Sequence, residues 1–235
     1  MTMKRLTAIV LPFVWAVMLV GCCQQKTAET EDIRTQVTFV TTEGNITVEL
    51  YNETPLHRDN FIHQVESGYY DSLLFHRVIR DFMIQGGDPT SKHALPGEFI
   101  GNEGAEPTVK AEFRYPQLYH KRGALAAARE GDDVNPKRES SALQFYIVCG
   151  RTFPSDSLLD RVDNVQFNYS GTHMTPELRE YYRTNPGTPH LDGSYTVFGE
   201  VVEGMDVVDR IQFSATDTND RPLTDVRILN AKIVK

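Results

Sequence analysis

Tryptophan is all but missing from this sequence. Trp15 is the only one, and it falls in an apolar run near the N-terminus, so a chain trimmed of that run contains no indole. Cysteine is scarce too. Cys22 and Cys23 are adjacent, and Cys149 ends the run QFYIVC, where a lone thiol reads as a small core residue. A disulfide framework is excluded, and a Cys23 to Cys149 bridge is open on count alone, with no feature to support it. Basic residues are outnumbered, 24 Lys and Arg against 32 Asp and Glu for a net charge of -8, and they are scattered. A phosphate-tracking surface needs a basic stripe, so nucleic acid is not an expected partner. Internal repeats and long low-complexity runs are absent. The histidines at 57, 63, 76, 93, 120, 173 and 190 show no close ligand pair with a matching carboxylate or thiolate pattern, so no metal is expected. The glycines of IQGGDPT and FIGNEG lack phosphate-loop spacings, and no serine stands in a nucleophile elbow. Nucleotide-binding and hydrolytic chemistry lose their residues, and no cofactor is expected.

What is present starts at the N-terminus. Lys4 and Arg5 precede LTAIVLPFVWAVMLV, an apolar run of roughly 15 residues, short for a bilayer span of about 20 and suited to a signal peptide. The run ends LVGCC, and Leu19-Val20-Gly21-Cys22 resembles the bacterial lipobox, which implies lipidation of Cys22 as the first mature residue. An ordinary secretory signal with incidental cysteines is the alternative. Residues 1–21 are thus expected to be a lipoprotein signal peptide. Residues 22–35, polar and acidic with no apolar period, form a flexible tether. The lipid would hold the protein to the membrane of a bacterial cell envelope, facing the periplasm. Cys23, not aspartate, follows Cys22, which favours the outer membrane.

The remaining 36–235 is long enough for one sizeable core. VTFVTT and NITVELY alternate apolar and polar residues around Glu43-Gly44, a hairpin signal. Thr54-Pro55 reads as an N-cap and first helical residue, with Phe61, Ile62 and Val65 as the apolar face and Gly68 as the stop. LLFHRVI, QFYIVC, YTVFGEVV and VRILNAKIVK read as strands, and GMDVVDRI as a second helix. Many short strands around one core favour a barrel or a sandwich. Two stretches look inserted. Residues 91–119 read as an ordered surface loop. Residues 151–189 carry two short helical patterns, SDSLLDRV and TPELREYYRT, and either select substrates beside the site or cover the barrel.

The segment FHRVIRDFMIQGGDPT follows no simple period, and it sets Arg77 and Gln85 among Phe75, Val78, Ile79, Phe82, Met83 and Ile84. It resembles the signature of the cyclophilin-type peptidyl-prolyl isomerases, and the likeness continues in order through RGALAAARE, ALQFYIVCG and HLDGSYTVFGEVVEGMDVVD. The resemblance implies a mainly β fold, a closed eight-stranded antiparallel barrel capped by two helices, with the site on its outer face. It implies Arg77 as the catalytic arginine, Gln85 as its support and substrate anchor, and Phe82 and Met83 as pocket residues. Ala128 and Arg129 would line the groove, the latter through its backbone, with Gln144 beside them. Tyr146 stands where phenylalanine is usual, bringing a hydroxyl that needs a partner. Leu191 would be an apolar wall. His190 occupies the place of a tryptophan in eukaryotic-type members, with a charge that changes near neutral pH, and Tyr195 the place of a histidine. The implied activity is isomerisation of X-Pro bonds in exported proteins by a monomer. The rival is a binding or chaperone module that holds proline segments without turnover.

Overall fold

The computed structural model describes residues 33–101 and 107–235. The signal peptide, most of the tether and Cys22 lie outside the described residues. Alternation dictates the first hairpin. In β1 (Gln36–Thr41) and β2 (Gly44–Leu50), Val37 faces Val48 and Phe39 faces Ile46 across an antiparallel ladder. Thr38 and Thr47, opposite each other, share a 2.9 Å hydroxyl hydrogen bond. The sheet then adds β3 (Arg77–Ile79), β4 (Met83–Gly86), β6 (Ala124–Ala127), β8 (Phe145–Val148), β9 (Val197–Glu203) and β10 (Ile228–Ile233). Its order is β10-β1-β2-β9-β6-β8-β4-β3, antiparallel throughout. A separate two-stranded ribbon pairs β5 (Thr108–Val109) with β7 (Ser140–Ser141).

The expected closed barrel is a curled, half-barrel sheet. β3 and β10 share no ladder; the seam carries one bridge, Leu74 to Arg227, with backbone hydrogen bonds from Phe75 to Val226 and from Ile228 to Leu73. These bonds join the residues just before β3 to those at the start of β10.

Inside the curl lie Val37, Phe39, Ile46, Val48, Leu125, Phe145 and Ile147, with Phe39 stacked on Phe145 at 5.2 Å between centroids. Helix α1 (Pro55–Glu66) adds Phe61 and Val65 to this core, and α4 (Met205–Gln212) adds Val207, Val208 and Ile211. Thr54 does not cap α1 with its side chain; the buried hydroxyl bonds the Tyr51 carbonyl instead. Glu112 takes over, accepting from the Leu56 and His57 amides at 3.2 and 3.0 Å and from His57 Nδ1 at 2.7 Å. A carboxylate there satisfies orphan amides and opposes the helix dipole.

The opposite face of the sheet is apolar as well. Met83, Ala124, Ala126, Tyr146, Val148 and Val197 belong to a second cluster, so β6 is buried on both faces. The 151–189 insertion folds into α2 (Asp156–Ser170) and α3 (Pro176–Thr184) around Phe153, Leu159, Val162, Met174, Leu178 and Tyr182. Ser155 and Thr175 cap the two helices, each hydroxyl accepting from the third amide on. Gly187 pins the insertion to the barrel by bridging both Lys121 and Arg151. Contact there is so close that a Cβ on Gly150, whose φ is 67°, would meet Gly187 N at 2.4 Å.

Gly150→Ala should therefore lower the unfolding free energy by roughly 2 kcal/mol or more. Gly171→Ala, also at positive φ but facing open space, should cost only about 1 kcal/mol. Urea unfolding midpoints check this, and equal shifts would contradict the close approach at Gly187.

Candidate active site

Sheet register assembles the site. Arg77 lies opposite Gln85, Gln85 opposite Tyr146, Tyr146 opposite Ala126, and Ala126 opposite Val197. Residues far apart in the chain thus form one row across four ladders. Two residues before Gln85, Met83 shares its face, since side chains on a strand alternate. Around this row is a cavity of about 170 Å³, lined by Arg77, Phe82, Met83, Gln85, Ala128, Arg129, Tyr146, Leu191 and Tyr195.

At its polar edge, Arg77 Nη1 donates to Gln85 Oε1 at 3.4 Å, and Nε stands 3.6 Å from Asp220 Oδ2 with both side chains 43% exposed. Gln85 Nε2 donates to Gln144 Oε1 at 2.9 Å, and Gln144 Nε2 donates to Asp88 Oδ2 at 3.4 Å. The ends fix both amide orientations, because a guanidinium only donates and a carboxylate only accepts. Asp88 is fully buried, and its Oδ1 accepts from the Thr90 amide and hydroxyl. A buried anchor therefore reaches Arg77 through two amides, and Gln144 lies behind the cavity rather than on its wall.

Arg129 offers no free side chain. Nε donates to the Ser194 carbonyl at 2.9 Å, Nη1 to Asp132 Oδ1 at 2.6 Å, and the guanidinium lies 4.4 Å above the Tyr195 ring. These contacts fix the side chain along the cavity wall.

Tyr146 finds its partner beneath the floor. Its hydroxyl is 2.9 Å from His120 Nε2; His120 Nδ1 is 2.8 Å from Asp192 Oδ1, and Tyr182 donates to Asp192 Oδ2 at 2.8 Å. The His120 amide also donates to Asp192 Oδ1 at 2.7 Å. In a neutral imidazole, Nδ1–H serves the carboxylate and Nε2 accepts from Tyr146. All four residues are buried. Burial pushes the Tyr146 hydroxyl well above its usual range, so it stays protonated as a donor. None of His120, Asp192 and Tyr182 was marked for this role by the sequence; Asp192 directly follows the recognised Leu191, and that adjacency was the only available signal.

His190 departs from expectation. It does not line the 170 Å³ cavity but packs against Phe82, with centroids 5.4 Å apart and the rings tilted by 32°, and faces a neighbouring cavity. Burial, then His120 and Arg151, pull its pKa down to about 4. The ring is neutral through the range in which a charge change was expected. Cys149 is a free, buried thiol raised by desolvation to about 12, as suits an inert core residue.

Comparison with known proteins gives these residues a family. Residues 36–233 match the model for "Cyclophilin type peptidyl-prolyl cis-trans isomerase/CLD". Peptidyl-prolyl cis-trans isomerase-like 1 of Neurospora crassa is 35% identical over 203 residues, 86% of this chain and 95% of its own. A bacterial relative, from Staphylococcus haemolyticus, is 33% identical over 205 residues, covering 87% of this chain and 93% of its own. A crystal structure of a cyclophilin type peptidyl-prolyl cis-trans isomerase from Cryptosporidium parvum shares the fold, with a TM-score of 0.62 at 23% identity, across 86% of this chain and 99% of that one. The same parasite enzyme, crystallised in the presence of the dipeptide Ala-Pro, aligns with a TM-score of 0.60 at 23% identity, across 85% of this chain and 99% of that one. The chain belongs to the cyclophilin-type peptidyl-prolyl cis-trans isomerases.

Proposed function

We propose that Arg77 carries the isomerisation by favouring the twisted X-Pro amide, with no covalent intermediate. Resonance gives the C–N bond its barrier of about 18–20 kcal/mol. Twisting breaks the resonance and returns a lone pair to the proline nitrogen. A fixed donor aimed there stabilises the twisted state more than the planar one, and that difference is what accelerates the step. Arg77 supplies a permanently charged, planar set of donors at the edge of an apolar hollow. Gln85 steadies it and leaves the outer part of the guanidinium for substrate.

In this reading the pyrrolidine ring sits against Phe82, Met83, Tyr146 and Leu191, while the backbone at Ala128 and Arg129 and the wall at Tyr195 hold the flanking chain. The observation that carries it is the register row that sets Arg77 and Gln85 beside Tyr146 on the wall of one cavity. The Ala-Pro dipeptide used with the parasite enzyme lends chemical support.

We further propose that residues 1–21 are a cleaved lipoprotein signal, 22–35 a tether and 36–235 the isomerase domain, acting as a monomer on exported chains from the envelope membrane. Uncatalysed X-Pro isomerisation takes tens to hundreds of seconds, long enough to limit folding after export.

Arg77→Ala should lower kcat/KM on an X-Pro peptide by about 10²- to 10³-fold while leaving the unfolding midpoint nearly unchanged. Peptide binding with no acceleration in the wild type would instead mark a holding module. Mass spectrometry of detergent-extracted protein should find acyl chains on Cys22; an unmodified N-terminus would overturn the tether. Because folded His190 has its pKa lowered to about 4, activity should stay flat from about pH 5.5 to 8. Below about 6.5 the unfolded imidazole takes its proton first, so stability should decline as the pH falls from there towards 4. An inflection in activity near pH 6.5 would contradict a buried, neutral ring.

A further inference from the structure

Beyond the proline cavity lies a second one, built largely by the insertion. Its volume is about 510 Å³, three times the 170 Å³ of the first. Phe82 lines both, so the Phe82–His190 pair stands between the two cavities, where a chain leaving the first on that side would meet the second. The far wall is α2, which presents Leu158, Val162 and Val165. Leu158 and Val165 are each 37% exposed, apolar surface that α2 leaves uncovered.

The rim is charged with one sign in excess. Arg80, Arg151 and Arg161 line the cavity against a single carboxylate, Asp81, in a chain whose net charge is -8. Arg80 is 3.9 Å from Asp81, whereas neither Arg151 nor Arg161 has an ion-pair partner among the described residues. Arg151 lies instead over the Phe153 ring at 5.4 Å. Thr188, 2% exposed, also borders the cavity, and its buried hydroxyl has no hydrogen-bond partner among the described residues.

We propose that this second cavity is a subsite for the segment flanking the proline, selecting clients that carry an apolar residue next to an acidic one there. Continuity through Phe82 supplies the route, the α2 wall the apolar contact, and Arg151 with Arg161 the charge complement. The proposal rests on the isomerase reading above.

The test is a set of peptides with a common Ala-Pro centre, flanked by Leu-Glu or by Ser-Lys, the flank placed before the proline in one series and after it in the other. With the full-length protein, the Leu-Glu flank on one side should raise kcat/KM about fivefold over Ser-Lys, the scale of one exposed charge pair. Arg161→Glu, on an exposed helical surface and checked for folding by circular dichroism, should abolish or invert that ratio. Equal kcat/KM for all peptides, or a preference unchanged in both Arg161→Glu and Arg151→Glu, would overturn the subsite while leaving the isomerase standing. No acceleration of any peptide would sink the isomerase reading, and the subsite with it.

Discussion

Arg77 meets Gln85, and Gln85 meets Tyr146, because β3, β4 and β8 pair in one register. Slipping any of these strands by a single residue would turn its whole side-chain set to the other face. Arg77 would then enter a core of Phe39, Phe61 and Phe145, where a guanidinium has no partner. The register is held on the inner face by Val78, Ile84, Ile147 and Leu125, which must stay out of water. Burial inside the sheet thus fixes chemistry outside it. The guanidinium needs little of its own to be positioned.

The same logic extends beneath the floor. Replacing a usual phenylalanine by Tyr146 places a hydroxyl where water is excluded, and an unmet hydroxyl there costs on the order of 1–3 kcal/mol. His120 meets it, Asp192 meets His120, and Tyr182 from α3 meets Asp192. The insertion is therefore joined to the floor of the 170 Å³ cavity by hydrogen bonds as well as by the Gly187 bridges. Its other helix, α2, walls the neighbouring groove. The inserted segment thus both packs on the barrel and borders the groove beside the site.

Much of this was legible in the sequence, for identifiable reasons. The first hairpin alternates because its outer face carries polar side chains, Thr38 and Thr47 joined through their hydroxyls among them; β6 does not, because Ala124 and Ala126 are buried outside while Leu125 and Ala127 are buried inside. Helix α2 was read too short. Its buried face runs through Leu159, Val162 and Gln166, and a polar residue at the last position broke the apolar period. Closure was read too fully, since the family pattern carries strand order but not the seam at Leu74 and Arg227. The cavity residues were legible through the motifs, but the depth of His190 and the support of Tyr146 were not. His120 and Asp192 lie 72 residues apart, and no local period connects them.

The central claim is that a fixed, planar guanidinium acts on the twisted amide rather than on binding. Exchange NMR at saturating Ala-Pro peptide, comparing wild type with Arg77→Lys, separates the two. Lysine keeps the charge and loses the rigid fork of donors. The expected result is a large fall in kcat with peptide affinity close to that of the wild type. An unchanged kcat with the whole loss in affinity would contradict the account.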